Sequence, residues 1–263
     1  MIRALYSAAS GMSAQQTNLE NIANNLANAN TTGFKTRRAQ FQDLLYQTMT
    51  QPGTAASQQA AVPAGLQLGL GTRAASNEII FSQGDFSATN NPLDLVIQGH
   101  GFFQIRQASG TLAYTRSGTF QMNRDGALVD ANGNLLEPQI TIPANAQSVT
   151  IASDGTVSFT QPGQSAAQQV GQIQLANFQN PAGLNSIGQN LYLPTDASGD
   201  PILGNPGGQE GLGTLLQGYV EQSNVSVVDE FVNMIVTQRA YEANSKVVKA
   251  ADEMYQTINN LTQ

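Results

Sequence analysis

The stretch IRALYSAASGMSAQQTNLENIANNLANANTTG, residues 2–33, decides how this chain is read. Leu5, Met12, Leu19 and Leu26 recur every seven residues, and Ala8, Gln15, Ile22 and Ala29 follow each of them by three. That spacing predicts an apolar stripe along a helix of about four heptads, roughly 40 Å at 1.5 Å per residue. Gly33 follows the stripe, where a helix C-terminus favours a left-handed residue. Asn18, Asn21, Asn25 and Asn28 run beside it at 3-4-3 spacing, which gathers four amides on one face. Asparagine is a poor helix former, so propensity does not explain the four of them. A solvated face is one reading, but such faces ordinarily use Glu, Lys and Arg. Amides bonded across a packed interface, or lining a neutral channel, suit the pattern better. Gly11 points the same way, because a mid-helix glycine costs on the order of 1 kcal/mol against alanine, which close approach of a neighbour offsets.

The other end of the chain repeats the theme. From Ser226 a second stripe runs through Val227, Phe231, Met234, Tyr241, Val248, Ala251, Tyr255 and Ile258. Ser226 with Asp229 three residues on resembles a capping box, and Asp229 and Glu230 suit the positive end of a helix. Glu242 precedes Lys246 by four residues, the favourable order for an ion pair. Val228, Ile235, Val247, Met254 and Leu261 broaden the apolar face beyond one seam, so this helix needs more than one neighbour. The predicted helical assembly interface therefore comprises Leu5, Gly11, Met12, Leu19, Ile22 and Leu26 with Val227, Phe231, Met234, Tyr241, Val248, Tyr255 and Ile258. Neither stripe is covered by one helix alone, which predicts poor order before assembly.

Between the ends the pattern changes to short strand-like runs at 77–87, 93–105, 112–122 and 127–136, separated by glycine-containing turns. Asp125-Gly126, Asn132-Gly133 and Asp154-Gly155 are hairpin signals, and Val149 and Ile151 answer Val157 and Phe159 with period two. Closely spaced strands without helices between them predict an antiparallel β domain. Residues 48–72 fit neither pattern, and an extended arm and a flexible loop are equally compatible with them. The fold class expected is α+β. The terminal segments 1–33 and 226–263 pair as a coiled-coil-like domain, 34–72 form an arm, and 73–225 form the β domain.

Composition narrows the function. The chain has 263 residues, 40% hydrophobic and only 11% charged, with a formal net charge of -7. An acidic chain without a basic run is not built for nucleic acid or an anionic membrane surface. It has no cysteine, which excludes disulfides, thiol catalysis and thiolate metal sites. No stretch reads as a cleaved signal peptide or is long enough to insert in a bilayer. The single histidine, His100 between Gly99 and Gly101, reads as a structural turn residue rather than a catalytic or metal-binding one. Asp85, Asp94, Asp125 and Asp130 stand in or beside turns that aspartate favours. Asn30, Asn224 and Asn260 begin sequons that carry no weight. No enzyme signature and no cofactor motif emerges, and a carbohydrate-active β domain is the rival class.

Three blocks together resemble a known family. Ser10-Gly11-Met12, Asn24-Asn25-Leu26-Ala27-Asn28 and Thr32-Gly33-Phe34-Lys35 resemble the N-terminal signature of bacterial flagellar rod and hook proteins. Glu221-Gln222-Ser223-Asn224-Val225, Gln238-Arg239-Ala240-Tyr241-Glu242 and Asn244-Ser245-Lys246-Val247 are similar to its C-terminal signature. Asn91-Pro92-Leu93-Asp94-Leu95, Gly101-Phe102-Phe103 and Ala113-Tyr114-Thr115-Arg116 resemble its middle domain. Phe231 stands where the family often has Met, and Ser117 where it often has an acidic residue.

Phe41 to Gln47, then Gln51-Pro52-Gly53 and Pro63 to Gly69, resemble an insertion of the distal-rod branch that hook subunits usually lack. This arm would use Tyr46, Gln51, Pro52, Gly53, Pro63, Gly65 and Leu66 to lock neighbouring subunits. The resemblance implies a homopolymeric hollow helical tube that transmits torque, exported without a cleaved signal through the flagellar type III apparatus. Implied partners are proximal rod subunits, the hook or a hook–rod junction protein, and the L- and P-ring proteins. Implied cofactors are none. A hook or proximal rod subunit is the alternative within the family.

Overall fold

Two long helices stand at the ends of the chain, α1 at Ile2–Ala27 and α2 at Val227–Leu261, with short antiparallel strands between them. This computed structural model describes all residues except 1, 52–54, 58–59, 62–63, 164–165, 209–210 and 262–263. The architecture is α+β. Pro52, Gly53 and Pro63 lie outside the described residues. The chain divides into two units, the first made of 1–27, 37–79 and 226–263, the second of 28–36 and 80–225.

In the first unit, α1 ends at Ala27, short of the Ala29 that its heptad pattern includes. Asn28 and Thr31 turn the chain instead, with Thr31 N–H donating to the Asn28 carbonyl at 3.1 Å and Thr31 Oγ1 to Asn28 Oδ1 at 3.1 Å. Such side chains offer the backbone a local alternative to the helix. Gly33 therefore does not cap α1; it sits six residues beyond it, at φ 70°. Ser226 stands immediately before α2, and its Oγ accepts the Asp229 N–H at 3.4 Å. Further along α2, Glu242 pairs with Arg239 at 3.1 Å rather than with the expected Lys246, and both partners are largely exposed.

The segment between α1 and the β unit folds into a two-stranded ribbon. Arg37–Asp43 pairs antiparallel with Thr72–Ile79, with a bulge between Gln40 and Phe41. Tyr46–Thr50 pairs with Leu66–Gly69, and Ala55–Ser57 with Ala60–Ala61. The run expected as one strand from Asn77 to Ser87 is divided. Its first residues complete this ribbon, whereas Phe86–Ala88 pairs with Tyr219–Glu221 in the second unit.

The second unit is built on Phe102–Arg106. Leu112–Thr115 lies along one edge of that strand, and the other edge is shared by Leu135–Glu137 and Leu175–Asn177. The sheet extends outward through Leu128–Val129 and Gln121–Met122 on one side, and through Leu191–Leu193 and Asn185–Gly188 on the other. Ser148–Ile151, Thr156–Thr160 and Gln168–Gln172 form a second, three-stranded sheet, in which Val149 faces Phe159 and Ile151 faces Val157. Leu95, Ile97, Phe103, Ile105, Phe120, Leu136, Ile173 and Leu175 are essentially inaccessible and form the centre of its core. The turns at Gly126, Gly133 and Gly155 all take positive φ. The carboxylate of Asp130 accepts the Asn132 and Asn134 N–H groups at 2.8 and 2.9 Å. At Asp125-Gly126 the equivalent acceptor is Asn123, not Asp125. His100 is exposed, and its carbonyl accepts the Gly213 N–H at 2.7 Å, the part of a turn residue.

Candidate assembly site

Asn18, Asn21 and Asn25 of α1 find partners inside the first unit, although the buried Asn21 Nδ2 has none among the described residues. Asn18 Nδ2 donates to Thr237 Oγ1 at 2.9 Å, and Asn25 Nδ2 donates to Glu230 Oε1 at 3.1 Å. Asn25 also brackets the start of the ribbon, with Nδ2 donating to the Arg37 carbonyl at 2.9 Å and Oδ1 accepting the Arg37 N–H at 2.9 Å. Asn21 Oδ1 accepts from Asn77 Nδ2 at 2.8 Å. Asn28 falls beyond the helix. The polar stripe thus serves packing within the subunit at Asn18, Asn21 and Asn25, because the opposite helix and the ribbon reach those amides first.

The predicted interface residues divide by helix. On α1, Ile22 is buried and Leu5, Gly11, Met12, Leu19 and Leu26 are half-buried. On α2, Met234, Val248 and Tyr255 are half-buried, while Val227, Phe231, Tyr241 and Ile258 are exposed. The most exposed apolar side chains of α2 are Val228 at 72%, Val236 at 62%, Ile235 at 58% and Val232 at 54%. Sequence reading passed over Val232 and Val236, although the steps of four from Val228 to Val232 to Val236 mark a second stripe. The ribbon carries a comparable surface: Leu45 is 85% exposed, and Phe41, Tyr46, Met49, Leu66, Leu68 and Leu70 are also open. Gln51 is exposed and Gly65 half-buried. Contiguous apolar surface of this kind marks sites of interaction with another macromolecule.

A charged cluster that sequence reading missed lies inside the second unit. Glu221 takes Lys35 Nζ at 2.6 Å on one carboxylate oxygen and Arg116 Nε at 3.0 Å on the other, and all three side chains are almost wholly buried. Gly84 N–H donates to the same carboxylate at 3.0 Å. Lys35 also donates to the Ser82 carbonyl at 2.7 Å, and Arg116 to the carbonyls of Gly101 and Gly99 at 2.7 and 2.9 Å. Burial opposes the Glu221 charge, but Arg116 and Lys35 outweigh it and hold its pKa below the ordinary carboxylate range. Burial pulls Lys35 below the usual lysine range, with Glu221 opposing that shift. Asn224 completes the cluster. Its Oδ1 accepts Thr36 N–H and Oγ1, each at 2.7 Å, while Nδ2 donates to the Ile80 carbonyl at 2.9 Å. The sequon reading gave Asn224 no role. Residues 35, 116 and 221 are too far apart in the chain for any local pattern to have paired them.

The chain is similar to known proteins along its whole length. Residues 5–35 match the flagella basal body rod protein family, 96–159 the flagellar hook protein FlgE/F/G D1 domain, and 216–261 the flagellar basal body rod FlgEFG protein C-terminal family. The flagellar basal-body rod protein FlgG of Caulobacter vibrioides is 51% identical over 261 residues, covering 99% of each chain. That of Buchnera aphidicola from Schizaphis graminum is 50% identical over 261 residues, 99% of this chain and 100% of its own. That of Bacillus subtilis is 42% identical over 265 residues, 99% of each. With helices at both ends, a β unit between them and full-length identity to such proteins, this chain belongs to the flagellar basal-body rod protein family, whose members are structural proteins and not enzymes.

Proposed function

We propose that this protein is the structural subunit of the flagellar distal rod, polymerising with copies of itself into a rigid hollow tube that carries torque to the hook. The observation that carries the reading is the row of exposed aliphatic side chains on α2, from Val228 to Val236, in a chain alike over its whole length to rod proteins. Covering each of these on a neighbouring subunit contributes roughly 1–2 kcal/mol, and the contacts repeat along a helical, non-closing assembly. The open sides of the half-buried Leu5, Met12, Leu19 and Leu26 contribute from α1, and the ribbon strands Tyr46–Thr50 and Leu66–Gly69 lock adjacent subunits, which straightens the tube. Its partners are proximal rod subunits, the hook or a hook–rod junction protein, the L- and P-rings and the type III export apparatus. The tube spans the periplasm and outer membrane.

Electron microscopy of the purified protein at high concentration tests this. Straight tubes are expected from the native chain, and Ile235→Glu, at a position 58% exposed, abolishes them while leaving the circular dichroism spectrum unchanged. Tubes that form equally well from the variant would refute the role given to this face.

A further inference from the structure

The contacts between α1 and α2 repeat every seven residues, but no two of them are chemically alike. At Gly11 an added Cβ would stand 2.8 Å from Asn244 Nδ2, so Asn244 fills space that glycine leaves open and must shift to admit a side chain there. Seven residues along α1 and seven back along α2, Asn18 donates to Thr237 Oγ1 at 2.9 Å. After the same step again, Asn25 donates to Glu230 Oε1 at 3.1 Å. The helices are therefore antiparallel, and a cavity–amide rung, an amide–hydroxyl rung and an amide–carboxylate rung lie in sequence along their seam.

The apolar stripe around these rungs cannot define a register. Leu5, Met12, Leu19 and Leu26 present nearly the same surface after a shift of one heptad. The rungs do not survive such a shift. Moved one way, Asn244 faces Asn18 in place of Gly11, and Glu230 passes beyond the end of α1 and loses its donor. Moved the other way, Asn25 passes beyond the start of α2, and Asn244 faces Ala4. Asn25 and Glu230 are both buried, and a buried polar group left without its partner is costly. Asn25 is also anchored to both backbone groups of Arg37, which ties its rung to the ribbon.

We infer that Gly11/Asn244, Asn18/Thr237 and Asn25/Glu230 form a register code: three unlike rungs that make α1 accept α2 in one antiparallel alignment out of several its apolar stripe would allow. The polar residues of this seam act as specificity determinants for helix pairing, and the apolar residues supply its strength.

The absence of cysteine from the native chain makes a direct test practical. Ser13→Cys and Asp252→Cys place nitroxide labels at exposed positions outside the rungs, and pulsed dipolar spectroscopy on the full chain reads their separation. The otherwise native protein is expected to give one narrow distance. Asn18→Leu/Asn25→Leu is expected to add a second population, since a one-heptad slip changes the axial separation by about 10 Å. Gly11→Leu, which raises helix propensity and so favours folding of α1, is expected to give the same second population. Adding Asn244→Ala to Gly11→Leu restores the single narrow distance by emptying the space the leucine needs. A single unshifted distance in both the leucine variants overturns the inference. So does a broad distribution in the native chain, or failure of Asn244→Ala to restore the narrow distance. The seam closes within one subunit, in contrast to the poor order expected of either stripe alone, so none of these readouts requires a polymer and the result stands apart from the proposed role in the rod.

Discussion

Replacing Glu221 by glutamine keeps the shape of the side chain and removes the anion that stands between two buried cations. Lys35 and Glu221 side chains are inaccessible and Arg116 is 6% exposed, so water cannot take the place of the lost charge. Breaking a buried ion pair by removing one partner costs about 3–5 kcal/mol, and here the loss strands two like charges in one site. The three side chains carry a net positive charge before any substitution, so the order of effects follows from electrostatics. Lys35→Met leaves a neutral Glu221–Arg116 pair, and the Ser82 carbonyl keeps a donor in Asn224 Nδ2 at 3.2 Å, so it is the mildest change. Arg116→Met also removes donors from the Gly99 and Gly101 carbonyls and falls between the other two. Urea unfolding followed by near-ultraviolet circular dichroism reads this unit through Tyr114, whose ring packs edge-on against Phe178 at 4.9 Å. A loss below about 1 kcal/mol in Glu221→Gln, within the range of an exposed pair, would refute the argument. Equal losses in all three variants would refute the reasoning about net charge.

Acid acts through Glu221 and Glu230 with opposite sign. Glu221 has a folded pKa below its unfolded value near 4.3, so the stability it gives the β unit is present above that value and lost as pH falls through the folded pKa. Burial raises Glu230, with Asn25 opposing the shift and Asp229 adding to it, so its contribution to the helix pair is full in acid and lost as pH rises from about 4.3 through the folded pKa. Glu230→Gln is expected to flatten the pH dependence of helix melting over that window, and a slope unchanged from the native chain would count against it. Gly33→Ala is expected to cost about 1–3 kcal/mol in urea unfolding, because φ is 70° and its Cβ would meet Ser117 N at 2.7 Å; Gly133→Ala, with φ 82° and open space, should cost less. Deleting residues 51–66 removes the outer part of the ribbon and is expected to give curved or flexible polymers by electron microscopy, so straight ones would leave the ribbon without a locking role.

Both helices, their approximate extents and the three hairpin turns could be read directly from the chain. Each rests on a period or a two-residue signal confined to neighbouring positions, and Val149 facing Phe159 follows from period two once Asp154-Gly155 fixes the turn. The end of α1 was overrun because the stripe continues to Ala29 while Asn28 and Thr31 form a local turn, a competition the apolar pattern does not contain. Gln51 and its neighbours gave no sign of a ribbon. Strand pairing there joins Thr48 to Gln67 and Asp43 to Thr72; Leu66, Leu68 and Leu70 alternate with period two, but Thr50 and Gln47 opposite the first two carry no matching apolar face.

By itself, then, the chain determined that the stretch beginning at Ile2 makes an amphipathic helix with an amide stripe, since helical periodicity converts spacing in sequence into position on a face. Tertiary structure decided what that stripe meets. Asn18 and Asn25 reach across to Thr237 and Glu230, more than two hundred residues away, so these amides close a seam within one subunit. It decided equally that Lys35, Arg116 and Glu221 form one buried cluster. The physical reason is the same in both cases. Local pattern specifies which face a residue occupies, whereas its partner, and the burial that makes a charge costly, exist only once distant segments have packed together.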